Sequence, residues 1–133
     1  MNKLFVPYEL AAMAKQKGFS DPCFAKFFYP EVPENRFRYN TQGTPMNYNS
    51  EDCGRFISAP LYQQLVDWFR EKHFINIETT FDFITFDVVI YDFKNNNVVN
   101  IVSSLSDKSQ HCFTDWYSAL DAAIEQAFKI IQP

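Results

Sequence analysis

Residues 59–81, APLYQQLVDWFREKHFINIETTF, decide the fold class, because the spacing of their apolar side chains changes once along the stretch. Four large apolar residues first recur at helical spacing: Leu61, Leu65, Trp68 and Phe69. Such a stripe is typical of a helix with one buried face. Apolar and polar residues then alternate from Ile75 to Phe81, as in a half-buried strand. The stretch therefore predicts an amphipathic helix that leads directly into a strand.

The residues at the start of this helix carry the expected signals for a helix N-terminus. Ser58 is the predicted N-cap, because a serine hydroxyl can accept a hydrogen bond from a free backbone N–H of the first turn. Pro60 suits the first turn, where a proline loses no helical hydrogen bond. Gln63 and Gln64 lie on the polar side. That side is predicted to face solvent or a partner, while the apolar stripe belongs to the core.

The rest of the chain continues the alternation and then returns to helical spacing. Residues 84–93 and 98–105 alternate as two further strands, and KNNN at 94–97 is a strong turn signal between them. Sequential strands with short connections imply an antiparallel meander. A last helix is predicted to begin after Thr114 as its N-cap. Residues 58–133 therefore predict an α-β-β-β-α core, with an antiparallel three-stranded sheet and two helices on one face.

Residues 1–57 differ from this core in composition. A helix is predicted over residues 7–17, because Gly18 suits the left-handed position that ends many helices. Residues 22–60, which follow this helix and extend just into the core, hold five of the seven prolines. Within this segment, residues 27–40 predict a hairpin of two short strands around a proline-containing turn. We therefore predict a single α+β domain over the full 133 residues, with an N-terminal helix and a loop or hairpin segment before the core.

The composition is acidic and rich in aromatic residues. The chain has 12 basic and 16 acidic residues, and Phe, Trp and Tyr make up 18% of it. Binding to a phosphate backbone is driven by lysine and arginine, so this balance argues against a nucleic-acid partner. No apolar run approaches the ~20 residues that span a bilayer. The first residues lack the apolar region of a signal peptide, and three cysteines without paired spacing suit a reducing compartment. We therefore expect a cytoplasmic protein without membrane association.

The residue types that most often carry catalysis or bind metals form no recognisable motif. His111, Cys112 and Asp115 lie close in sequence. Adjacent residues of an extended chain point to opposite sides, however, which places a histidine base poorly for a neighbouring thiol. Histidines and cysteines also lack the paired spacing of structural zinc sites. We therefore expect no catalytic residues, no metal ligands and no cofactor, and an enzyme of unknown class is the third functional hypothesis.

The α-β-β-β-α order is also the order of double-stranded RNA-binding domains. Those modules contact phosphates with basic residues. Here the last helix begins with Asp115, also carries Asp121 and Glu125, and has no lysine before Lys129. A nucleic-acid-associated module with this topology is therefore the alternative hypothesis, because the order of elements fits and the charges do not.

Three segments together resemble a known group of proteins: ELAAMAKQKGFSDPC at 9–23, APLYQQLVDWFREKH at 59–73 followed by INIE, and WYSALDAAIEQAFKII at 116–131. They are similar to a family of small, uncharacterised proteins from phages, prophages and other mobile elements of gut-type anaerobic bacteria. The resemblance covers most of the chain apart from residues 29–55. It implies a bacterial cytoplasm and a mobile-element gene. It brings no activity, cofactor or functional residue with it.

The aromatic residues of the proline-rich segment indicate a contact surface. Aromatic and arginine side chains are common anchors of protein interfaces. Five of them cluster in the predicted hairpin: Phe27, Arg36, Phe37, Arg38 and Tyr39. We predict that they form a surface for an unidentified protein partner or for a second copy of the chain. Two alternatives stay open: the outer face of the sheet makes this contact, or residues 22–60 fold over the sheet and only complete the core. The leading functional hypothesis is a non-catalytic accessory or protein-interaction protein of a phage or mobile element.

Overall fold

The computed structural model describes residues 2–28, 37–40, 43–50, 54–81, 86–100 and 116–131. Contacts divide the chain into two compact units, Met1–Leu65 and Val66–Pro133. The described helices and strands are α1 Tyr8–Gln16, β1 Ala25–Phe28, β2 Phe37–Tyr39, β3 Phe56–Ser58, α2 Tyr62–His73, β4 Ile75–Phe81, β5 Phe86–Asp92, β6 Asn97–Asn100 and α3 Trp116–Ile130. The six strands form two antiparallel three-stranded sheets. The predicted α+β fold class is therefore confirmed.

In the first unit, helix α1 packs on one face of a sheet with the strand order β2-β1-β3. Ala25, Phe27 and Ile57 are buried side chains of that face. The Tyr8 ring of α1 lies edge-on to the Phe27 ring, and their centroids are 5.6 Å apart. Burial of these apolar groups between helix and sheet is the main favourable term for the fold of this unit.

The predicted end of α1 at Gly18 is confirmed. Gly18 has φ +93°, a left-handed conformation that glycine adopts without the steric cost of a Cβ. Its N–H donates to the Lys15 carbonyl at 3.1 Å, and the Phe19 N–H donates to the Ala14 carbonyl at 2.9 Å. This pair of bonds is a Schellman motif, which satisfies carbonyls that the helix end would leave free. Phe19 is itself buried, so the helix stops where the chain turns into the core.

The predicted hairpin is confirmed as β1 and β2, which pair antiparallel with Phe27 opposite Phe37. The turn predicted between them lies outside the described residues. On its other side β1 pairs with β3, a strand that the sequence-based prediction lacked. Ser58 ends β3, so its predicted role as the N-cap of α2 is wrong. Its buried Oγ instead accepts the Tyr48 N–H at 2.9 Å.

Helix α2 begins at Tyr62, and Gln64 takes a large part in fixing its start. The Gln64 Oε1 accepts the Leu61 N–H at 3.0 Å, which is the glutamine half of a capping box. Its Nε2 donates to the Pro22 carbonyl at 2.9 Å. The prediction that both glutamines face solvent or a partner is therefore wrong for Gln64, while Gln63 is exposed.

The second unit contains the predicted meander, with β5 between β4 and β6. Ile77 lies opposite Ile90 and Thr79 opposite Val88 in the register of β4 and β5. Ile77, Val88 and Ile90 are buried, and helix α3 packs against both strands. The opposite face carries exposed polar residues such as Glu78. The predicted alternation of buried and exposed residues is therefore confirmed for these strands.

Helices α2 and α3 meet through aromatic rings within the second unit. The Phe128 ring of α3 lies 4.9 Å from the Phe69 ring and 6.4 Å from the Trp68 ring, measured between centroids. All three side chains are buried. Trp68 and Phe69 of the predicted apolar stripe therefore belong to the core of this unit, where they pack against α3.

The turn signal at 94–97 is confirmed, because residues 93–96 form the turn between β5 and β6. Asn96 has φ +52°, and asparagine tolerates this left-handed region better than most residues. Thr114, the predicted N-cap of the last helix, lies outside the described residues. Within the described ranges, none of the helices has the length and apolar content that crossing a bilayer requires.

Two edge strands use their own side chains to cover outward-facing backbone groups. The Asn40 N–H donates to the Phe24 carbonyl at 2.6 Å, so the alternation of an antiparallel ladder turns the Phe37 backbone away from β1. The Phe37 carbonyl accepts the Arg38 Nη1 at 3.0 Å. On β6 of the other unit, the outward Val98 N–H donates to the Asn97 Oδ1, also at 3.0 Å. Each contact leaves one fewer free group on a sheet edge.

Candidate functional site

The residues predicted as an interaction surface occupy different environments in the first unit. Phe27 is 6% exposed and belongs to the core. Phe37 is half-buried, while Arg38 is exposed and Tyr39 is 41% exposed. Arg36 lies outside the described residues. The structure therefore places Phe37, Arg38 and Tyr39 on one short edge strand, with Phe27 opposite Phe37 in the neighbouring strand. Because strand residues alternate, the Arg38 side chain leaves the opposite face from Phe37 and Tyr39.

Three aromatic rings form a compact group on one side of β2, which we name the aromatic surface: Phe5, Phe37 and Tyr39. The Phe37 and Tyr39 centroids are 4.8 Å apart. The Phe5 ring lies 5.0 Å from Phe37 and 5.7 Å from Tyr39. Tilted and edge-on pairs at these distances are favourable. Phe5 is buried and acts as the floor, so the Tyr39 ring is held in place while it stays accessible.

The charge of the chain is distributed unequally between the two units. Residues 1–65 carry seven basic and six acidic residues, whereas residues 66–133 carry five basic and ten acidic residues. The unit that carries Arg38 and the aromatic surface is therefore close to neutral, and the other unit is strongly acidic. The positive charge of Arg38 therefore lies in the unit with fewer acidic residues, where fewer negative charges of the same unit offset it.

Cys23 is buried, and its surroundings oppose a nucleophilic role. Burial is the main cause that raises the pKa of the Cys23 thiol to about 12, with a smaller contribution from the charge of Asp21, while a hydrogen bond with Ser58 lowers it. The thiolate is the reactive form of cysteine, so Cys23 is inert near neutral pH. Cys53, His111, Cys112 and Asp115 lie outside the described residues. In the part of the chain that the structure describes, no three His, Cys, Asp or Glu side chains are grouped closely enough to hold a metal ion.

The inertness of Cys23 can be tested with a thiol reagent. In a Cys53→Ser, Cys112→Ser variant, we expect Ellman's reagent at pH 8 to react at least ~10³-fold more slowly than with a free cysteine peptide, because a pKa about three units higher removes that much thiolate. The reaction rate is followed by absorbance. The same variant in guanidinium chloride serves as the control and should react at the peptide rate. Fast labelling of the native variant would contradict the burial of Cys23.

A cleft in the second unit is the other candidate site. It has a volume of about 410 Å³ and lies where α2 ends and β4 begins. The end of α2 contributes Lys72 and His73, the β5–β6 turn contributes Lys94 and Asn95, and the end of α3 contributes apolar wall. A concave space of this size falls within the range of small-molecule sites. The sequence-based prediction did not include it.

The polar side of the cleft is organised by Asp92, which is only 4% exposed. Its Oδ2 accepts the Asn95 Nδ2 at 2.7 Å, and its Oδ1 accepts the Asn95 backbone N–H at 3.3 Å. These bonds fold the turn back over the end of β5. Asp92 therefore acts first as the internal support of the turn that carries Lys94.

His73 contributes an uncharged ring to the cleft at neutral pH. Burial lowers the pKa of His73, and the positive charge of Lys94 lowers it further. The imidazole also lies edge-on to the Trp68 ring, with centroids 4.6 Å apart. His73 therefore contributes an uncharged aromatic ring to the lining of the cleft, and Lys72 and Lys94 supply its positive charge.

Phe74, the single residue between α2 and β4, has an unfavourable backbone conformation. It has φ +57°, where a bulky side chain costs on the order of 1–2 kcal/mol, and it is also 59% exposed. Its carbonyl accepts the Phe93 N–H at 3.0 Å, which fixes this conformation. An exposed phenylalanine in a left-handed conformation is a local strain of the kind that is concentrated at functional sites.

The described elements define an α+β protein with one candidate contact surface and one candidate cleft. Comparison with protein-family models, with curated proteins and with solved structures finds no match for this chain.

Proposed function

We propose that this chain is a non-catalytic protein-interaction protein and that Tyr39 and Arg38 anchor its contact. The proposal is supported by one main observation, which is a partly exposed tyrosine ring held against two other rings on an edge strand. The same strand carries an exposed arginine, whose Nη1 reaches the Phe37 carbonyl at the strand edge. Tyrosine and arginine are enriched among the residues that dominate interface energies. We further propose, as the sequence resemblance implies, that the chain acts as an accessory protein of a phage or mobile element in a bacterial cytoplasm.

The geometry favours docking through side chains over addition of a strand to β2. The strand is three residues long, and its outward Phe37 carbonyl already accepts a hydrogen bond from Arg38. The Tyr39 ring, in contrast, contacts Phe5 and Phe37 before any partner arrives. A ring that is already ordered loses little conformational entropy on binding.

The chemistry of the surface specifies the partner that would suit it. An apolar recess on the partner would receive the Tyr39 ring, and a carboxylate facing the edge of β2 would pair with the Arg38 guanidinium, which lies there against the Phe37 carbonyl. We therefore propose a different protein with an acidic, partly apolar surface. A second copy of this chain also has an acidic unit, so self-association is an outcome that the test must distinguish.

Site-specific photo-crosslinking in the native host tests this proposal. We expect benzoylphenylalanine at position 39 to give one discrete crosslinked protein, because the ring would lie inside the interface. The same residue at position 93 of the other unit, where Phe93 is 63% exposed, is the matched control and should not give that product. Mass spectrometry of the product identifies a partner or a second copy of the chain.

A charge reversal connects the crosslink to Arg38. Arg38→Glu should reduce the position-39 crosslink by at least ~10-fold, because the introduced carboxylate would repel the partner's carboxylate that the arginine would have paired with. Lys17→Glu, on the same unit but outside the aromatic surface, should leave it unchanged. Equal crosslinks at positions 39 and 93, a homodimer product, or indifference to Arg38→Glu would each reject the proposed contact with another protein.

A further inference from the structure

We infer that the cleft of the second unit binds a small amphipathic organic anion, with its apolar part against Ile75, Ile130 and Ile131 and its carboxylate or phosphate near Lys94 and Lys72. This inference concerns a different part of the chain from the proposed protein contact. It rests on the shape of the cleft, the division of its lining and the strained residue at its wall.

The lining of the cleft is divided between apolar and cationic groups. Ile75 and Ile131 are buried, and Ile130 is half-buried, so these side chains offer an apolar floor. Lys72 and Lys94 are exposed and stand at the rim. An amphipathic anion satisfies both parts at once, because its chain covers apolar surface while its head group meets the ammonium groups.

The carboxylate of Asp92 is compatible with an anionic ligand because its oxygens already accept hydrogen bonds from Asn95. The side chain is also almost completely buried. Of the charged groups in the lining, the lysines are therefore the ones that a ligand reaches from solvent. A positively charged ligand that paired with Asp92 would first have to break the bonds that hold the turn.

Phe74 supplies an independent reason to assign a ligand to this cleft. An exposed apolar ring and a left-handed backbone are both unfavourable in the free protein. Glycine at this position would have no Cβ to strain and no ring to expose. Phe74 is among the residues that line the cleft, so an apolar chain bound there and packed on the exposed ring would offset part of that cost.

A matched ligand series tests the inference on the full chain. Nonanoate, octyl phosphate, octanol and octylamine carry the same octyl chain and differ in the head group and its charge. By isothermal titration calorimetry at pH 7, we expect at least one of the two anions to bind about tenfold more tightly than octanol and octylamine, which is what one favourable charge-assisted contact supplies. The better of the two anions identifies the head group. Equal affinities, tighter binding of octylamine, or no binding by either anion would overturn the inference.

Two variants connect the binding to the cleft. Lys94→Met removes the positive charge and keeps a long side chain, so it should abolish the preference for the anion. Lys129→Met is the matched control, because Lys129 is exposed on α3 and does not line the cleft. An unchanged preference in Lys94→Met, or the same loss in Lys129→Met, would contradict the assignment.

Phe74→Gly separates a ligand-binding role from a purely structural one. We expect weaker anion binding together with a melting temperature that is unchanged or higher, because the substitution removes the wall of the cleft and the backbone strain together. A structural residue would show the opposite result, with lower stability and unchanged binding. That result would overturn the role assigned to Phe74.

Discussion

Phe128→Ala is expected to lower the free energy of unfolding by about 3–5 kcal/mol, the usual cost of removing a buried phenylalanine ring. Phe128 is 1% exposed. Its ring meets Phe69 at 4.9 Å and Trp68 at 6.4 Å, so its loss would leave a cavity between α2 and α3. The surrounding rings belong to helices that also pack elsewhere, which limits how far they can collapse into the space.

Urea denaturation measured by far-UV circular dichroism provides the test, with the midpoint and the slope compared between variants. Phe93→Ala is the matched control in the same unit, because Phe93 lies on the exposed turn. We expect the control to stay within ~0.5 kcal/mol of the wild type. A loss below ~1 kcal/mol for Phe128→Ala would mean that the ring contacts between the two helices contribute little.

Phe27→Ala and Tyr39→Ala are expected to differ strongly, although both positions were predicted as one surface. Phe27 is buried, and its ring lies 5.6 Å from both Tyr8 and Phe37. Its removal should therefore cost about 3–5 kcal/mol. Tyr39 is 41% exposed, so its removal should cost about 1 kcal/mol or less, mainly through the lost contacts with neighbouring rings.

Thermal unfolding of the two variants, measured alongside the crosslinking experiment, separates core from contact surface. We expect Tyr39→Ala to retain nearly the wild-type melting temperature and to lose its partner. The Phe27 variant should melt at a much lower temperature. Similar losses of stability in both variants would show that Tyr39 is also part of the core, and the proposed interface would then have lost its central residue.

Local periodicity predicted the elements whose burial follows a regular repeat. The stripe that ends in Trp68 and Phe69 and the alternation through Ile75 and Ile77 are both encoded by nearest neighbours in sequence. Gly18 likewise signals the end of α1 through its own conformational freedom. In each case the residues that carry the signal are also the residues that form the structure.

The parts that were missed depend on contacts between distant residues. β3 is recognisable only from its pairing with β1, since three residues are too few to show a period. The Asn49 side chain donates a hydrogen bond to the Phe19 carbonyl, 30 residues away, and accepts one from the Ser58 N–H. Nothing in the segment around Asn49 specifies those partners, so it appears irregular in the sequence.

The cleft was missed for the same reason, because its lining comes from the ends of α2 and α3 and from the β5–β6 turn. One local signal was available. The helical pattern passes directly into the strand pattern at Phe74, without the glycine or asparagine that usually occupies such a junction. A bulky residue at a sharp change of direction is a reason to look for a site there.

The side-chain contacts on the two edge strands also affect the tendency of the protein to aggregate at high concentration. Stacking of chains into a fibril requires a continuous row of free backbone donors and acceptors along a strand. Arg38 engages the Phe37 carbonyl of β2, and Asn97 engages the Val98 N–H of β6. A polar side chain of the chain itself therefore interrupts each row, as the gatekeeper residues of β-rich proteins do. A small aromatic-rich protein can in this way present tyrosine and phenylalanine rings near a sheet edge while that edge stays a poor template for aggregation.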